Sequence, residues 1–317
     1  GKRAIRSLGI LAPLSDILFS PFTFFAAIWF RIARFWGIRK MPLTRAILHR
    51  TGVMPVVDHY YEPLIDYRQI PAKAPASLLH WNLDKQRAFI RQLNSGSELR
   101  KFPVEPHPGF YYNNGSFGPG DAEAYYSIIR KNKPRRILEI GSGFSTLICL
   151  EAVKQNLADD PAYKCSVTCV EPYEMPFLEK LEVKLIRKKI EDVDLSVFSG
   201  LGVNDILFID SSHIIRPGGD VTYLILKILP TIPSGVWVHF HDIFLPDDYP
   251  VAWLREEFRM WNEQYLLEAF LLNNSSWEIM LAMSYLNQAV PTELRAALPV
   301  LASQKDGGSG SFWIKRR

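Results

Sequence analysis

The sequence predicts an α/β fold in which a doubly wound, mostly parallel sheet of seven strands ends in an antiparallel last strand. From about residue 118 onward, short apolar runs alternate with helix-length segments that have apolar residues at helical spacing. The runs are apolar on nearly every residue, as are strands that helices cover on both faces. The last two runs, near 277 and 312, have no amphipathic crossover between them, so they could pair antiparallel across an insertion at 285–310.

Each element is assigned from its own local pattern. The strands are predicted, in chain order, at RRILEIG, CSVTCVEP, VKLIRKKI, DILFID, GVWVHFHDIF, WEIMLAM and SFWIKR. Helices are predicted at DAEAYYSIIRKN, STLICLEAVKQNL, MPFLEKLE, DLSVFSGL and GGDVTYLILKILPTI, followed by a long helix near 252–272.

Composition divides the 317 residues into three regions. Residues 1–50 form an apolar, basic leader, and residues 51–116 form an N-terminal arm or cap that is rich in Pro, Tyr and His. Residues 117–317 form the α/β domain, so the extension before it is predicted to be partly helical and partly irregular. With 48% hydrophobic residues, the chain can bury one large core beside such an appendage.

Charge and cysteine content limit the partners and the compartment. The formal net charge is +4 and no compact block of Lys and Arg dominates, so nucleic acid is not an expected partner. Three cysteines make no disulfide framework, and the C-x3-C spacing lacks a second pair of zinc ligands. Cys149, Cys165 and Cys169 are therefore predicted to be reduced thiols, which indicates a cytoplasmic protein.

The leader contains an uncharged run, residues 17–30, between Asp16 and Arg31. The run is shorter than the ~20 residues that a spanning helix needs, while aromatic residues crowd it and basic residues flank it. Three interpretations are open: a helix on a membrane surface, a helix packed on its own protein or on a dimer partner, and a true span. The first interpretation implies that residues 8–36 contact the inner face of a membrane peripherally. The second is compatible with a homo-oligomer.

The stretch EIGSGFST, residues 139–146, follows the first strand and opens a helix. Open parallel sheets bind ligands at this end of their strands, and Gly141 and Gly143 would let the backbone approach a ligand without a Cβ clash. A dinucleotide-binding loop would carry a third glycine where Thr146 stands, so that fingerprint is incomplete.

The polar residues of the same stretch suggest a different ligand. Glu139 could accept a hydrogen bond from an ammonium group, while the amides and hydroxyls of Ser142, Ser145 and Thr146 could hold a carboxylate. A ligand that carries both an ammonium group and a carboxylate contains an amino-acid moiety.

The next two strands supply candidates for a nucleoside. Glu171 ends the second strand, where an acid commonly binds ribose hydroxyls. After the third strand, Ile190 could pack on an adenine face, and Glu191 or Asp192 could accept from its exocyclic amine.

Residues 117–284 resemble the class I S-adenosylmethionine-dependent methyltransferases, which have a Rossmann-like fold, and in particular the small-molecule enzymes of bacterial biosynthetic clusters. ILEIGSGFST is similar to their first motif, with Ser145 in place of a third glycine, and CVEP to the motif of the ribose-binding acid. DILFIDSSH and GVWVHFHDIF are similar to the motifs of the fourth and fifth strands. The resemblance implies S-adenosyl-L-methionine as cofactor, with Phe117, Gly118 and Asp210 as further contacts; an ordinary turn before a helix is the alternative for Phe117 and Gly118.

The ends of the fourth and fifth strands carry the candidate catalytic residues. In the metal-dependent catechol O-methyltransferase type, an acid and an acid–amide pair at these ends bind magnesium, and a lysine three residues after the first acid is the base. The resemblance places Asp210, His241 and Asp242 at the metal positions and His213 at the base position. Imidazole is not a typical magnesium ligand, so either another divalent metal binds, or His213, His241 and Asp210 perform acid–base work without one.

The predicted activity is therefore methyl transfer to an oxygen or nitrogen of a small-molecule or lipid- or glycan-linked acceptor. Phe244, Tyr249 and Trp253 either line the acceptor pocket or belong to a packed lid. Two other functions are open: an NAD-dependent oxidoreductase, against which Thr146 and Glu139 argue, and a non-catalytic membrane-associated binding module of the same fold.

Overall fold

The computed structural model describes residues 12–57, 63, 77–93, 95–173, 175–304 and 309–317. These residues fall into two compact units, one within Gly1–Ile70 and one within Pro71–Arg317. Parts of the predicted leader and arm, residues 1–11, 58–62 and 64–76, lie outside the described residues.

The first unit consists of helices. Helix α1 runs over Ala12–Trp36, a short 3-10 turn covers Ile38–Lys40, and helix α2 covers Pro42–Thr51. By its length and composition, α1 could cross a membrane, and it is the one helix in the described part of the chain of which this is true.

The second unit is built on a seven-stranded sheet. Its strands are β1 (Arg136–Ile140), β2 (Ser166–Val170), β3 (Lys184–Ile186), β4 (Ile206–Ile209), β5 (Trp237–Phe240), β6 (Trp277–Ala282) and β7 (Phe312–Arg316). Their order across the sheet is β3-β2-β1-β4-β5-β7-β6. Neighbours from β3 to β5 pair in parallel, whereas β7 pairs antiparallel with both β5 and β6. The predicted sheet and its reversed last strand are confirmed.

Helices cover the sheet. They are α3 (Leu83–Ile90), α4 (Gly96–Leu99), α5 (Asp121–Asn132), α6 (Phe144–Asp159), α7 (Ser196–Ser199), α8 (Asp220–Tyr223), α9 (Val251–Arg255), α10 (Glu263–Leu271), α11 (Met283–Ala289) and α12 (Pro291–Ala297). A π-helical segment, Leu224–Ile228, extends α8, and short 3-10 turns lie at Pro176–Lys180, Ile190–Asp192, Leu229–Thr231 and Leu301–Ser303.

Successive strand residues enter two separate cores, one on each face of the sheet. On β1, Ile137 packs with one core, in which Tyr125 of α5 and Cys149 of α6 lie. Leu138 and Ile140 pack with the other. Burial of both faces explains why the strands are apolar on nearly every residue.

The prediction of one long helix near 252–272 is wrong, because the chain forms two helices there, α9 and α10. Between them Phe258 has a left-handed backbone with φ of 52°. The Asn262 amide donates to the His213 carbonyl at 2.9 Å, and the Asn262 side chain accepts from the Ile215 amide at 2.6 Å. The break therefore fastens the start of α10 to the loop after β4.

Candidate active site

A cavity of about 260 Å³ opens at the carboxyl ends of β1, β2 and β4. The strand order reverses here, because β1 lies between β2 and β4, and such a switch point is where open α/β sheets bind ligands. Four predicted cofactor residues, Gly141, Glu171, Ile190 and Asp210, line the cavity together. The other lining residues are Ile140, Val170, Pro172, Tyr173, Lys189, Glu191, Ser211, Ser212, Arg216 and Asp220.

The two glycines of the loop after β1 have different structural roles. Gly141 has φ of +77°, and a Cβ added to it would lie 2.1 Å from the Asp210 carbonyl oxygen. Only glycine therefore fits between the ends of β1 and β4. Gly143 has an extended backbone with φ of 179°, and its added Cβ would make an ordinary 3.6 Å contact with Met175.

Hydrogen bonds fix the loop between β1 and α6. The Gly143 amide donates to Thr146 Oγ1 at 3.2 Å, and the Thr146 hydroxyl donates to Glu139 at 2.6 Å. The Ser142 amide donates to Glu171 Oε2 at 3.3 Å, which joins this loop to the end of β2. Ser145 is buried in the first turn of α6. Ser142, Gly143, Ser145 and Thr146 thus shape the loop that borders the cavity.

Glu139 is fully buried and points into the core that contains Tyr125. Its two carboxylate oxygens accept from the Tyr125 hydroxyl at 2.9 Å and the Thr146 hydroxyl at 2.6 Å. Burial raises the pKa of Glu139 to about 7, although the hydrogen bonds from Thr146, Tyr125 and Cys169 oppose this rise. The contact with a ligand ammonium group stays a prediction, and in this structure Glu139 holds the loop to the core.

A second cavity, of about 590 Å³, lies beside the end of β5. His241, Asp242 and Gly118 line it, as do Phe244 and Trp253 from the predicted acceptor pocket. The remaining lining residues are Tyr112, Asn113, Gly115, Ser116, Pro119, Asp121, Pro250, Gln304 and Gly310. Tyr249 is instead buried and accepts from the Gln264 amide at 3.2 Å.

His213 contacts Asp210 of the first cavity, Asp242 of the second, and the buried carboxylate of Glu263. Its Nε2 lies 3.2 Å from Asp210 Oδ1 and 3.9 Å from Asp242 Oδ2, and its Nδ1 lies 2.8 Å from Glu263 Oε2. Burial alone would lower the pKa of His213, but the hydrogen bonds to Asp210 and Glu263 raise it to about 10. The ring also packs on Trp261, with centroids 4.2 Å apart. At neutral pH it is therefore a buried imidazolium, which holds a proton rather than accepting one.

The residues predicted to bind a metal do not fit one in this arrangement. Within the described chain, no group of three or more His, Cys, Asp and Glu side chains is placed to hold a metal ion. Asp210 and Asp242 both lie near Nε2 of the positively charged His213 ring. That ring supplies the positive charge that the two carboxylates would otherwise require from a metal.

His241 and His239 lie on the same strand but in different environments. Burial lowers the pKa of both rings, but at His241 the carboxylates of Asp242, Asp210 and Asp121 outweigh it, so that pKa is raised. His241 lines the second cavity, with Nε2 3.6 Å from Asp242 Oδ1. His239 is fully buried, is 3.0 Å from the Ser311 hydroxyl, and has a pKa far below its ordinary value. His239 therefore belongs to the core and lines neither cavity.

Two acids near the site, Asp121 and Glu263, were not marked as site residues by any local sequence pattern. Phe117, in contrast, was predicted to contact the cofactor or to belong to an ordinary turn. Asp121 lines the second cavity and accepts from the Ser311 amide at 2.9 Å. Both acids stand in the first turn of a helix, where the helix dipole already explains an acid. Phe117 is buried against the ring of His241, with centroids 5.2 Å apart, and lines neither cavity.

Known proteins that are similar to this chain include two methyltransferases of solved structure and one uncharacterized protein. The SAH-bound Podospora anserina methyltransferase PaMTH1 is 16% identical, with 83% of this chain and 100% of that one covered at a TM-score of 0.38. MycE, the methyltransferase of mycinamycin biosynthesis solved with Mg and SAH, is 13% identical, with 61% and 48% covered at a TM-score of 0.31. An uncharacterized Archaeoglobus fulgidus protein is 29% identical over 165 residues, which are 46% of this chain and 73% of that protein.

Residues 138–243 match the family model described as a methyltransferase domain. The match begins on β1, extends past β5, and so includes the strand ends that form both cavities. This match agrees with the resemblance of the strand-end motifs to those of the class I methyltransferases.

Proposed function

We propose that this protein transfers the methyl group of S-adenosylmethionine to an oxygen or nitrogen of a small-molecule, or lipid- or glycan-linked, acceptor. The observation that carries the proposal is the grouping of Glu171, Ile190 and Asp210 around the Gly141 backbone in one cavity at the switch point of the sheet. Each of these residues comes from the end of a different strand or from the turn that follows it.

The residues of the first cavity fit the proposed cofactor. Glu171 accepts from the Ser142 and Tyr173 amides, and a carboxylate has further lone pairs with which to accept from ribose hydroxyls. Ile190 offers an apolar surface for a base, and Glu191 lies beside it. The side chain of Asp210 is 39% exposed, so it remains accessible to the cofactor while it pairs with His213. When bound, the cofactor supplies a methyl group on a positively charged sulfur.

The second cavity suits the acceptor. Phe244 and Trp253 provide aromatic surface, with ring centroids 5.2 Å apart, and His241 and Asp242 provide polar groups. A hydroxyl or amine must lose its proton when it is methylated, and a positioned histidine is a suitable base. We assign that role to His241, because His213 already holds its proton between Asp210 and Glu263.

Calorimetric titration with S-adenosylhomocysteine tests the cofactor assignment. The wild-type chain is expected to bind it, and Glu171→Ala should weaken binding by about tenfold or more, because the hydrogen bonds that the ribose hydroxyls donate to the carboxylate are lost. Glu256→Ala is the matched control, because that acid is exposed on the chain and lines neither cavity. Binding of NADH in place of S-adenosylhomocysteine would refute the proposal and support the oxidoreductase.

A further inference from the structure

Helix α1 exposes a continuous apolar stripe. Its large apolar side chains recur three or four residues apart and therefore lie on one face of the helix. The stripe consists of Leu14, Ile17, Leu18, Phe22, Phe25, Ile28, Trp29, Ile32, Phe35 and Trp36. Every one of these side chains is exposed, and Ile17 and Phe25 are 74% and 69% accessible. Phe19 and Phe24 are further exposed large apolar side chains of α1 that lie outside this stripe.

The opposite face of α1 is polar or small. Asp16, Ser20, Thr23, Ala27 and Arg34 follow one another at helical spacing on that side. The helix is thus amphipathic along its whole length, which distinguishes a helix that lies in an interface from one that is apolar all round.

Positive charge is concentrated next to this stripe. Residues 1–57 contain nine Lys or Arg and a single acid, Asp16, whereas residues 58–317 contain 28 Lys or Arg and 32 Asp or Glu. The excess of basic residues in the whole chain therefore comes entirely from its first part. Among the described residues, Arg39, Lys40, Arg45 and Arg50 are exposed directly after the stripe.

Helix α2 continues the same combination of apolar and basic side chains. Leu43 and Ile47, one turn apart, are exposed, as are Val53 and Met54 after the helix. Arg45 and Arg50 are exposed on the same short helix. An apolar surface bordered by cations is what anionic lipid headgroups and the acyl chains beneath them would bind.

We propose that α1 and α2 bind the surface of an anionic lipid bilayer, with the apolar stripe of α1 buried at the level of the headgroups and upper acyl chains. The basic residues contact the lipid phosphates, and Asp16, Ser20 and Thr23 stay on the water side. This inference concerns the first unit alone and does not depend on the reaction proposed for the second.

The same features argue against the two other arrangements of α1. Residues 17–30, the uncharged part of the helix, would extend about 21 Å, which is less than the ~30 Å hydrocarbon core that a span must cross. A spanning α1 would therefore bring Asp16 or Arg31 into the membrane, where a charged side chain is costly. A second copy of the chain would bring together two segments, residues 1–57 of each copy, whose sequences each contain nine basic residues and one acid. An anionic bilayer complements this charge, whereas another copy opposes it.

Vesicle flotation of the full chain tests the proposal. The protein is expected to float with vesicles of phosphatidylcholine and phosphatidylglycerol, to bind far more weakly to phosphatidylcholine alone, and to be released in part by high salt. The double variant Leu18→Asp/Phe25→Asp should lose binding by about tenfold or more, because it places charge in the apolar stripe.

A second double variant provides a matched control. Thr23→Asp/Ala27→Asp makes the same change in net charge on the opposite face of the helix, so it should retain most of the vesicle binding. Circular dichroism and S-adenosylhomocysteine titration of both variants establish that the chain is folded, whether or not it floats.

Four outcomes would overturn the proposal. The first is a wild-type chain that does not float with the anionic vesicles. The second is equal loss of binding in the two double variants, which would show that the added negative charge weakens binding wherever it lies on the helix. The third is resistance of the membrane-bound protein to extraction with alkaline carbonate, which a spanning helix shows and a surface helix does not. The fourth is a wild-type dimer in light scattering that becomes monomeric in Leu18→Asp/Phe25→Asp, which would assign the stripe to a second copy.

Discussion

The two cavities lie at neighbouring strand ends but are built differently. The cavity of about 260 Å³ is shaped by backbone, above all by the contact of Gly141 with Asp210, and by side chains that each follow directly on a strand. The cavity of about 590 Å³ is bordered by buried charges, in which Asp121, His241 and Asp242 interact with one another. Backbone geometry therefore determines the first site, and the protonation of buried groups determines the second. The four predictions below test this difference.

The largest expected effect is on turnover in the second cavity. His241→Asn should reduce kcat by about 10²- to 10⁴-fold, the usual contribution of a general base, and should change the affinity for S-adenosylhomocysteine little. In the wild type, turnover should rise with pH through a pKa above 6.5, because His241 acts only when it is deprotonated and nearby carboxylates raise its pKa. Steady-state kinetics across pH measures both, with the exposed His80→Asn as control. Full activity in His241→Asn would remove the proposed base.

The next effect is on stability and separates the two loop glycines. Gly141→Ala should lower the free energy of unfolding by about 2–5 kcal/mol, through a left-handed φ and a backbone clash. Gly143→Ala, the matched control, should change it by less than about 1 kcal/mol, because its backbone is extended and its added Cβ meets a flexible methionine. Urea unfolding measures both values. Equal effects would show that the backbone contact at Gly141 does not shape the first cavity.

A smaller effect concerns the pH dependence of stability. The pKa of His213 is raised from 6.5 to about 10 in the folded state, so its stabilising contribution is complete below pH 6.5 and is lost as the pH rises towards 10. His213→Gln should therefore be less stable than wild type by about 2 kcal/mol at pH 6, with the gap closing at alkaline pH. Urea unfolding at a series of pH values tests this. A gap that is constant with pH would mean that His213 is not charged in the folded protein.

The smallest expected effect is that of chelation. Because Nε2 of the His213 ring already lies beside Asp210 and Asp242, treatment with EDTA should leave turnover unchanged. A reaction that used a bound metal would lose several kcal/mol of transition-state stabilisation and recover it when the metal is restored. Loss and recovery of this kind would reinstate the metal site at Asp210, His241 and Asp242.

The difference between the cavities also explains how far the sequence could predict them. The sheet and the first cavity follow from local patterns, because Gly141, Glu171 and Ile190 each stand within four residues of the end of a predicted strand. The partner of His213 could not be predicted in this way. Glu263 is 50 positions away in the chain and reaches His213 only because the chain breaks between α9 and α10. The spacing of apolar residues favoured one continuous helix near 252–272, from which the pairing of His213 with Glu263 could not be predicted.

The core contacts of Glu139 are a second feature that local sequence patterns did not indicate. Its position at the end of a strand and before a glycine suggested a ligand contact. Strand residues alternate between faces, and Leu138 and Ile140 occupy one face, so Glu139 turns to the face on which Tyr125 lies. Which face a strand residue occupies depends on the helices that cover the sheet, and those are arranged by tertiary packing.

Strand order in the sheet has a consequence for synthesis of the protein. Strand β7 lies between β5 and β6, although it follows both in the chain, and in the described sheet β6 pairs with β7 alone. On the ribosome, β6 therefore emerges with Trp277, Ile279 and Leu281 ready for burial but without a strand to pair with. Until residues 312–316 have been translated, the half-finished sheet ends at β5, and this exposed edge is where a nascent chain would need protection from aggregation.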